Sequence, residues 1–352
     1  MGELGAYYSG YPLWKLPHSD GMPIKTHSFR TTIVYGLQRF LPPWARPDPW
    51  TLYLWQDKGF DRWVGRALAE ADFIHAMPGQ CRRTFERARE LGVATVLNHA
   101  SSPIREWVRI MEPEYRRVGL KIEEACPYND AYFQGADDEY ALADYHCVAS
   151  SVGRDYLAAL GVAPERIWIV PYAADPEIFH PGPERQPNGF HIIFPGQVGL
   201  RKGTRTLLDA LTLSGREDWS VDFYGAVLPE AKQDLAGYNG KPRLNFHGAV
   251  SQRALAEAFR GGSVLALPSL EEGFSLVVPQ ALNCGLPCIT TERNGAKDLI
   301  RRHENGSVIP ARDAEALLEE LRWWERNPLR VNEKHLWREP AERLARLSKE
   351  AL

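Results

Sequence analysis

The stretch Ser269-Leu-Glu-Glu-Gly-Phe-Ser-Leu-Val-Val-Pro-Gln-Ala-Leu-Asn-Cys-Gly-Leu-Pro-Cys-Ile-Thr290 decides how this chain is read. A short apolar run, Val264-Leu-Ala-Leu267, precedes it and has strand composition. The stretch opens on an acidic, Gly-containing turn and continues as an apolar segment of helical length. It stops at Gly285 and passes to a second strand-like piece near Cys288. Strand, loop, helix, strand is half of a parallel crossover unit. In such units the loop after the strand is where ligands sit, and the helix N-terminus offers free amides to an anion. Glu271 and Glu272 stand at that spot. Carboxylates repel phosphate, so hydroxyls are what they are expected to meet.

The 352 residues suffice for two domains of ordinary size. Apolar residues at 44% and charged residues at 25% are normal for a globular protein. A net charge of -3 argues against a general nucleic-acid binder. No apolar run reaches transmembrane length, and the N-terminus shows neither a signal peptide nor a myristoylation pattern. These features lead us to expect a cytoplasmic protein. The five cysteines (81, 126, 147, 284, 288) lack zinc spacing and read as reduced core thiols, so no metal site is expected.

The first 50 residues are rich in Trp, Tyr and Pro, with a helix expected over 29–40 capped by Ser28. An alternation then sets in. Strands are expected at 51–55, 72–77, 94–98, 145–149 and 167–170. Helices are expected at 60–70, 80–91, 104–125 (broken near Pro113) and 153–160. The span 171–188 holds five prolines and reads as a linker. A second alternation follows, with strands at 191–194, 220–224, 244–247, 264–267, 288–290 and 307–309. Helices fill the gaps near 204–213, 229–235, 252–259, 276–284 and 313–326, and 338–352 reads as an amphipathic helix. Two doubly wound α/β domains are implied. We place the first at 1–180 and the second at 181–335. The helix from 336 to 352 is a candidate to cross back to the first domain.

The second domain begins Phe194-Pro-Gly-Gln-Val-Gly-Leu-Arg-Lys-Gly-Thr-Arg205. This is neither a dinucleotide fingerprint nor a P-loop. Two adjacent cations, Arg201 and Lys202, suit a diphosphate. Taken alone they read as solvated charges. In a doubly wound sheet, however, this loop and the acidic loop converge on one crevice. A ligand needing both cations and hydroxyl acceptors is a nucleotide-diphospho-sugar.

Here the chain resembles the retaining glycosyltransferases of family four, which have the two-domain GT-B fold. The marks are Ala143-Asp-Tyr-His-Cys-Val-Ala-Ser150, Pro171-Tyr-Ala-Ala-Asp175 with Phe179-His-Pro181, Gly196 to Gly203, Pro268-Ser-Leu-Glu-Glu-Gly-Phe-Ser275 and Cys284-Gly-Leu-Pro287. The resemblance is good over roughly residues 135–345 and loose before. It implies that Glu272, the first acid of a Glu-x7-Glu motif, holds hydroxyls of the donor sugar. Lys202 takes the phosphate lysine's place, on a loop that starts at Gly196. Gly273 and the amides at Phe274, Ser275 and Leu276 meet the diphosphate. Asn294 and Gly295 belong to a further sugar-side loop.

Four departures stand out. The second acid is Gln280, which keeps hydrogen bonding at the ribose but loses charge assistance. Pro279 makes the helix begin late or kink. Gln197 replaces a common basic residue, with Arg201 as substitute. The first strand and Gly-rich loop of the family are not recognisable, so the first sheet is expected one strand short.

The resemblance further implies retention without a protein nucleophile, metal-independent and without a cofactor. It also implies a first-domain His near the anomeric carbon, with His99 ahead of His75 as candidate. Each alone reads as a structural histidine. Trp107, Arg109, Arg116, Arg117 and Lys121 offer a basic, aromatic face for peripheral membrane contact, though a solvated helix weighs more. The expected function is sugar transfer from a UDP- or GDP-sugar to a glycan or lipid-linked acceptor in surface polysaccharide synthesis. Two other readings stay open: an impaired nucleotide- or glycan-binding relative that supports a partner, and a nucleotide-sugar epimerase.

Overall fold

The computed structural model describes residues 4–16, 21–69, 71–125, 130–182 and 189–352. Cys126 and the 183–188 part of the expected linker lie outside them. The chain opens with two short parallel strands, β1 (Tyr7–Ser9) and β2 (Ile24–Thr26), that pair only with each other. Helices α1 (Phe29–Phe40) and α2 (Pro49–Ala67) follow. Ser28 precedes α1 but its side chain makes no cap bond. The expected strand at 51–55 is the first part of α2. Asp48 accepts from the Thr51 amide at 2.7 Å and Pro49 sits at the first helical position. Cap and proline together outweigh the strand propensity of Thr, Leu, Tyr and Trp.

The first main sheet is all parallel, in the order β3 (Phe73–Ala76), β4 (Ala94–His99), β5 (Tyr145–Val148), β6 (Ile167–Ile169). Helix α3 (Arg82–Leu91) links the first two strands. Between β4 and β5 run α4 (Ile104–Arg117), α5 (Ile122–Ala125) and α6 (Asp130–Leu142), and α7 (Ser151–Ala159) leads to β6. The break expected at Pro113 falls later. Pro113 stays inside α4, which ends where Gly119 turns left-handed (φ 74°). There the Leu120 amide bonds the Tyr115 carbonyl and Gly119 bonds Arg116, which closes the last turn.

The second sheet has six parallel strands: β7 (Phe190–Pro195), β8 (Trp219–Tyr224), β9 (Arg243–Phe246), β10 (Val264–Leu267), β11 (Cys288–Thr291) and β12 (Gly306–Ile309). Their order is β12-β11-β10-β7-β8-β9. Winding therefore reverses between β7 and β10, which is where such sheets bind ligands. All four residues of β10 and of β11 are buried, as expected of strands covered on both faces. The connecting helices are α8 (Thr204–Ser214), α9 (Lys232–Ala236), α10 (Gln252–Gly261), α11 (Val277–Asn283) and α12 (Ala314–Arg326). Finally α13 (Arg338–Glu350) lies back on the first sheet, with Leu344 and Leu347 against Val96, Cys147, Trp168 and Val170. No described helix is long and apolar enough to cross a membrane.

Candidate active site

The loops after β7 and β10 meet at the switch point. The Leu270 amide bonds the Arg201 carbonyl at 2.8 Å. Gly203 lies so close to the other loop that a Cβ there would stand 1.8 Å from the Pro268 carbonyl oxygen, and its φ of +71° also favours glycine. This contact places the cations beside the acids. Arg201 Nη1 lies 3.0 Å from Glu272 Oε2, and Lys202 Nζ bonds the same oxygen. Burial pushes the Glu272 carboxyl upward, but Lys202 and Arg201 more than reverse this and hold it below the usual range. Burial draws Lys202 downward against the pull of Glu272. Each group thus favours the charged form of the other, and the second cation, Arg201, adds to the hold on the carboxylate.

Glu271 does something else. Its buried side chain accepts from Ser102 Oγ at 2.5 Å, with its other oxygen 3.7 Å from Arg201 Nη1. Burial raises its pKa, opposed by Ser102 and Arg201. The adjacent glutamates therefore differ: Glu272 takes both Lys202 and the nearer contact of Arg201, while Glu271 also ties this loop to the loop after β4.

Beyond Gly273 the chain turns through buried Phe274 and Ser275 and exposed Leu276 into α11. Amides at the start of a helix have no partner one turn back, so this turn can receive an anion. Pro279 falls at the third position of α11, where its missing N–H costs nothing. Gln280 sits half-buried one residue on. Asn294 and Gly295 pack on the acidic loop. The Gly295 amide bonds the Glu272 carbonyl at 2.9 Å, and a Cβ on Gly295 would meet the Gly273 carbonyl oxygen at 2.0 Å. Asn294 is fully buried, with its Nδ2 lacking a hydrogen-bond partner. Gly196 has a φ of +108° and lies under the Lys202 side chain, whereas Gln197 is exposed.

The first sheet contributes residues that sequence reasoning missed. Ser150 Oγ donates to the Gly273 carbonyl at 2.8 Å, and Ser151 binds Asp298 through its amide and its hydroxyl, both at 2.6 Å. Ser101 backbone lies against Gly273. Helix α4 adds Arg117, which bonds buried Asp234 of α9 through both Nη atoms at 2.8 and 2.9 Å. Below it Ile110, Met111 and Tyr115 pack with Leu200 and Leu270. This accounts for most of the basic face expected on α4. Arg117 is spent on Asp234, Arg109 pairs with Glu106 and Arg116 with Glu112.

Neither candidate histidine joins the cluster. His99 is 5% exposed, its Nε2 3.0 Å from His146 Nδ1, with Tyr140 edge-on. Burial, then His146, pushes its pKa down to about 3. It is an interior ring at the end of β4. His75 faces solvent on edge strand β3, beside the Phe73 ring. Among the described residues, no group of three or more His, Cys, Asp or Glu side chains is arranged to hold a metal ion.

Comparison with known proteins points the same way. The family model described as glycosyl transferases group 1 matches residues 177–344. A D-inositol 3-phosphate glycosyltransferase of Xylanimonas cellulosilytica is 28% identical over 223 residues, 58% of this chain and 50% of that one. An MMP alpha-(1->4)-mannosyltransferase of Mycolicibacterium hassiacum is 24% identical over 217 residues, 61% of this chain and 47% of that one. The chain thus spans about half the length of the curated relatives it matches. Among solved structures, sucrose-phosphate synthase from Thermosynechococcus elongatus superposes with a TM-score of 0.59 at 17% identity, over 89% of this chain and 80% of that one. HepE of Anabaena in complex with UDP-glucose gives 0.60 at 15% identity, over 83% and 80%. These structures share the fold, two Rossmann-like units in the GT-B arrangement. On this fold, residues 177–344 are the part of the chain that matches the glycosyl transferases group 1.

Proposed function

We propose that the chain is a retaining, metal-independent hexosyltransferase. It moves a sugar from a UDP- or GDP-sugar to a glycan or lipid-linked acceptor on the cytoplasmic side of a membrane, in surface polysaccharide assembly. One observation carries this reading: Arg201 and Lys202 after β7 converge on Glu272 after β10 at the point where the sheet reverses. A donor exchanges partners within that cluster. Lys202 and Arg201 turn to the diphosphate, helped by the amides at Phe274–Leu276, while Glu272 accepts from sugar hydroxyls. Gln280 meets the ribose with neutral hydrogen bonds. The work of the protein is positioning and charge stabilisation at the leaving diphosphate, and the acceptor proton passes to that leaving group. The loops at Ser101–Ser102 and Ser150–Ser151 close the far side and limit access of water. The names of the curated relatives support a sugar transferase, and the HepE complex supports a nucleotide-sugar donor.

The test is a panel of nucleotide-sugars with and without crude glycan acceptors, followed by free nucleotide release. Glu272→Gln keeps the shape of the side chain but removes its charge. It should lower turnover by about a hundredfold or more at an unchanged far-UV circular dichroism spectrum. Full activity in that variant removes Glu272 from the site. Binding of donors with turnover of none replaces the transferase by an impaired, nucleotide-binding relative.

A further inference from the structure

The outward face of α1 does not have the composition of a solvated helix. Positions 29, 32, 35, 36, 39 and 40 share one side of a 3.6-residue helix, opposite buried Val34. Three of these six are Phe29, Tyr35 and Phe40, and Phe40 is 79% exposed. The patch extends beyond the helix itself. Lys15 sits 4.8 Å from the Tyr35 ring and 5.1 Å from that of Trp14, itself 80% exposed. After Phe40, a 3-10 turn over Pro43–Ala45 presents Trp44 at 88% exposure. A contiguous surface of large rings in water marks a contact site.

Charge indicates what covers it. Residues 4–16 and 21–69 hold eight Lys and Arg against three Asp and Glu, in a chain whose net charge is -3. Of the three acids, Asp61 is buried and spent on the Arg83 and Thr84 amides. A dry protein partner would strip water from Lys15 and Arg39 without pairing them. The headgroup layer of an anionic bilayer accepts both parts: rings settle at the acyl boundary and cations meet lipid phosphates. We propose that Trp14, Lys15, Tyr35, Arg39, Phe40 and Trp44 form a docking surface for an anionic lipid bilayer. This is a different face from α4, whose arginines are paired within the protein. It does not depend on the transferase reading, because nothing in it requires turnover.

The experiment is co-sedimentation of the full chain with vesicles of phosphatidylcholine alone and of phosphatidylcholine mixed with phosphatidylglycerol. We expect binding to the mixed vesicles and none to the neutral ones, lost on raising salt. Lys15→Gln with Arg39→Gln should weaken binding roughly thirtyfold. Phe40→Ser with Trp44→Ser should weaken it roughly tenfold or more. All four side chains are exposed, so both variants should melt with the wild type. Three results overturn the proposal. One is no pelleting with either vesicle. Another is binding that neither variant changes. The third is a dimer in light scattering that Phe40→Ser with Trp44→Ser dissociates without any vesicle binding, which gives the face to a second copy.

Discussion

The two ends of the molecule treat tryptophan in opposite ways. In the second unit Trp219 and Trp324 are 1% and 2% exposed, and each indole N–H has a partner: Glu325 at 2.8 Å for one, Ser307 Oγ at 3.0 Å for the other. In the first 50 residues Trp14 and Trp44 stand 80% and 88% exposed. The two buried indoles belong to the core of the second sheet, Trp219 beside Phe190 where β7 and β8 begin and Trp324 over β12, and the two exposed ones to the surface of the first 50 residues. The same side chain is a structural element at one end and a contact element at the other.

That contrast can be broken by experiment. The largest effect is expected from Trp324→Ala, which opens a cavity beside β12 and removes the hydrogen bond that Ser307 Oγ accepts, leaving the one it donates to Glu320. Urea unfolding should show a loss of about 3–5 kcal/mol, and a loss below 1 would mean this core is not packed as described. The first sheet is sensitive in another way, through the buried pair His99 and His146. Their pKa values are lowered to about 3 and about 4 from an ordinary 6.5, chiefly by burial. The unfolded chain takes up these protons first as pH falls. The contribution of the pair is thus complete above pH 6.5 and drains away toward pH 4, by up to about 1.4 kcal/mol per pH unit for each ring. Unfolding curves at pH 7.5, 6.5 and 5.5 check this against a His99→Leu, His146→Leu variant. Equal pH slopes in the two proteins would remove the pair from that role. The smallest effect belongs to Trp44→Ser, which should change stability by less than about 0.5 kcal/mol while it weakens vesicle binding.

The second unit was the more legible one because its strands are short, contiguous apolar runs bounded by Gly and Pro. Such runs are buried on both faces whatever surrounds them, so β10 and β11 fall within a residue of expectation. The segment Thr51-Leu-Tyr-Leu-Trp55 was misread because its composition favours a strand, while the deciding signal was Asp48-Pro49 just upstream. Arg201, Lys202 and Glu272 could be paired from sequence because topology forces their loops together. The seven-residue spacing to Gln280 singles out Glu272, but no local pattern shows what Glu271 does. Its partner is Ser102, 169 residues away along the chain, while Lys202 bonds only Glu272 of the two. The inward turn of His99 was equally hidden, since its partner His146 belongs to the next strand.

The return of α13 to the first sheet has a consequence for biogenesis. Val96, Cys147, Trp168 and Val170 form a face that Leu344 and Leu347 cover. During synthesis that face stays open until every strand of the second sheet has been made. The earlier-made unit is therefore the later-finished one. Until then its bare apolar side is what a chaperone would hold, and premature termination between α12 and α13 would release a protein with an intact second sheet and an unfinished opposite wall.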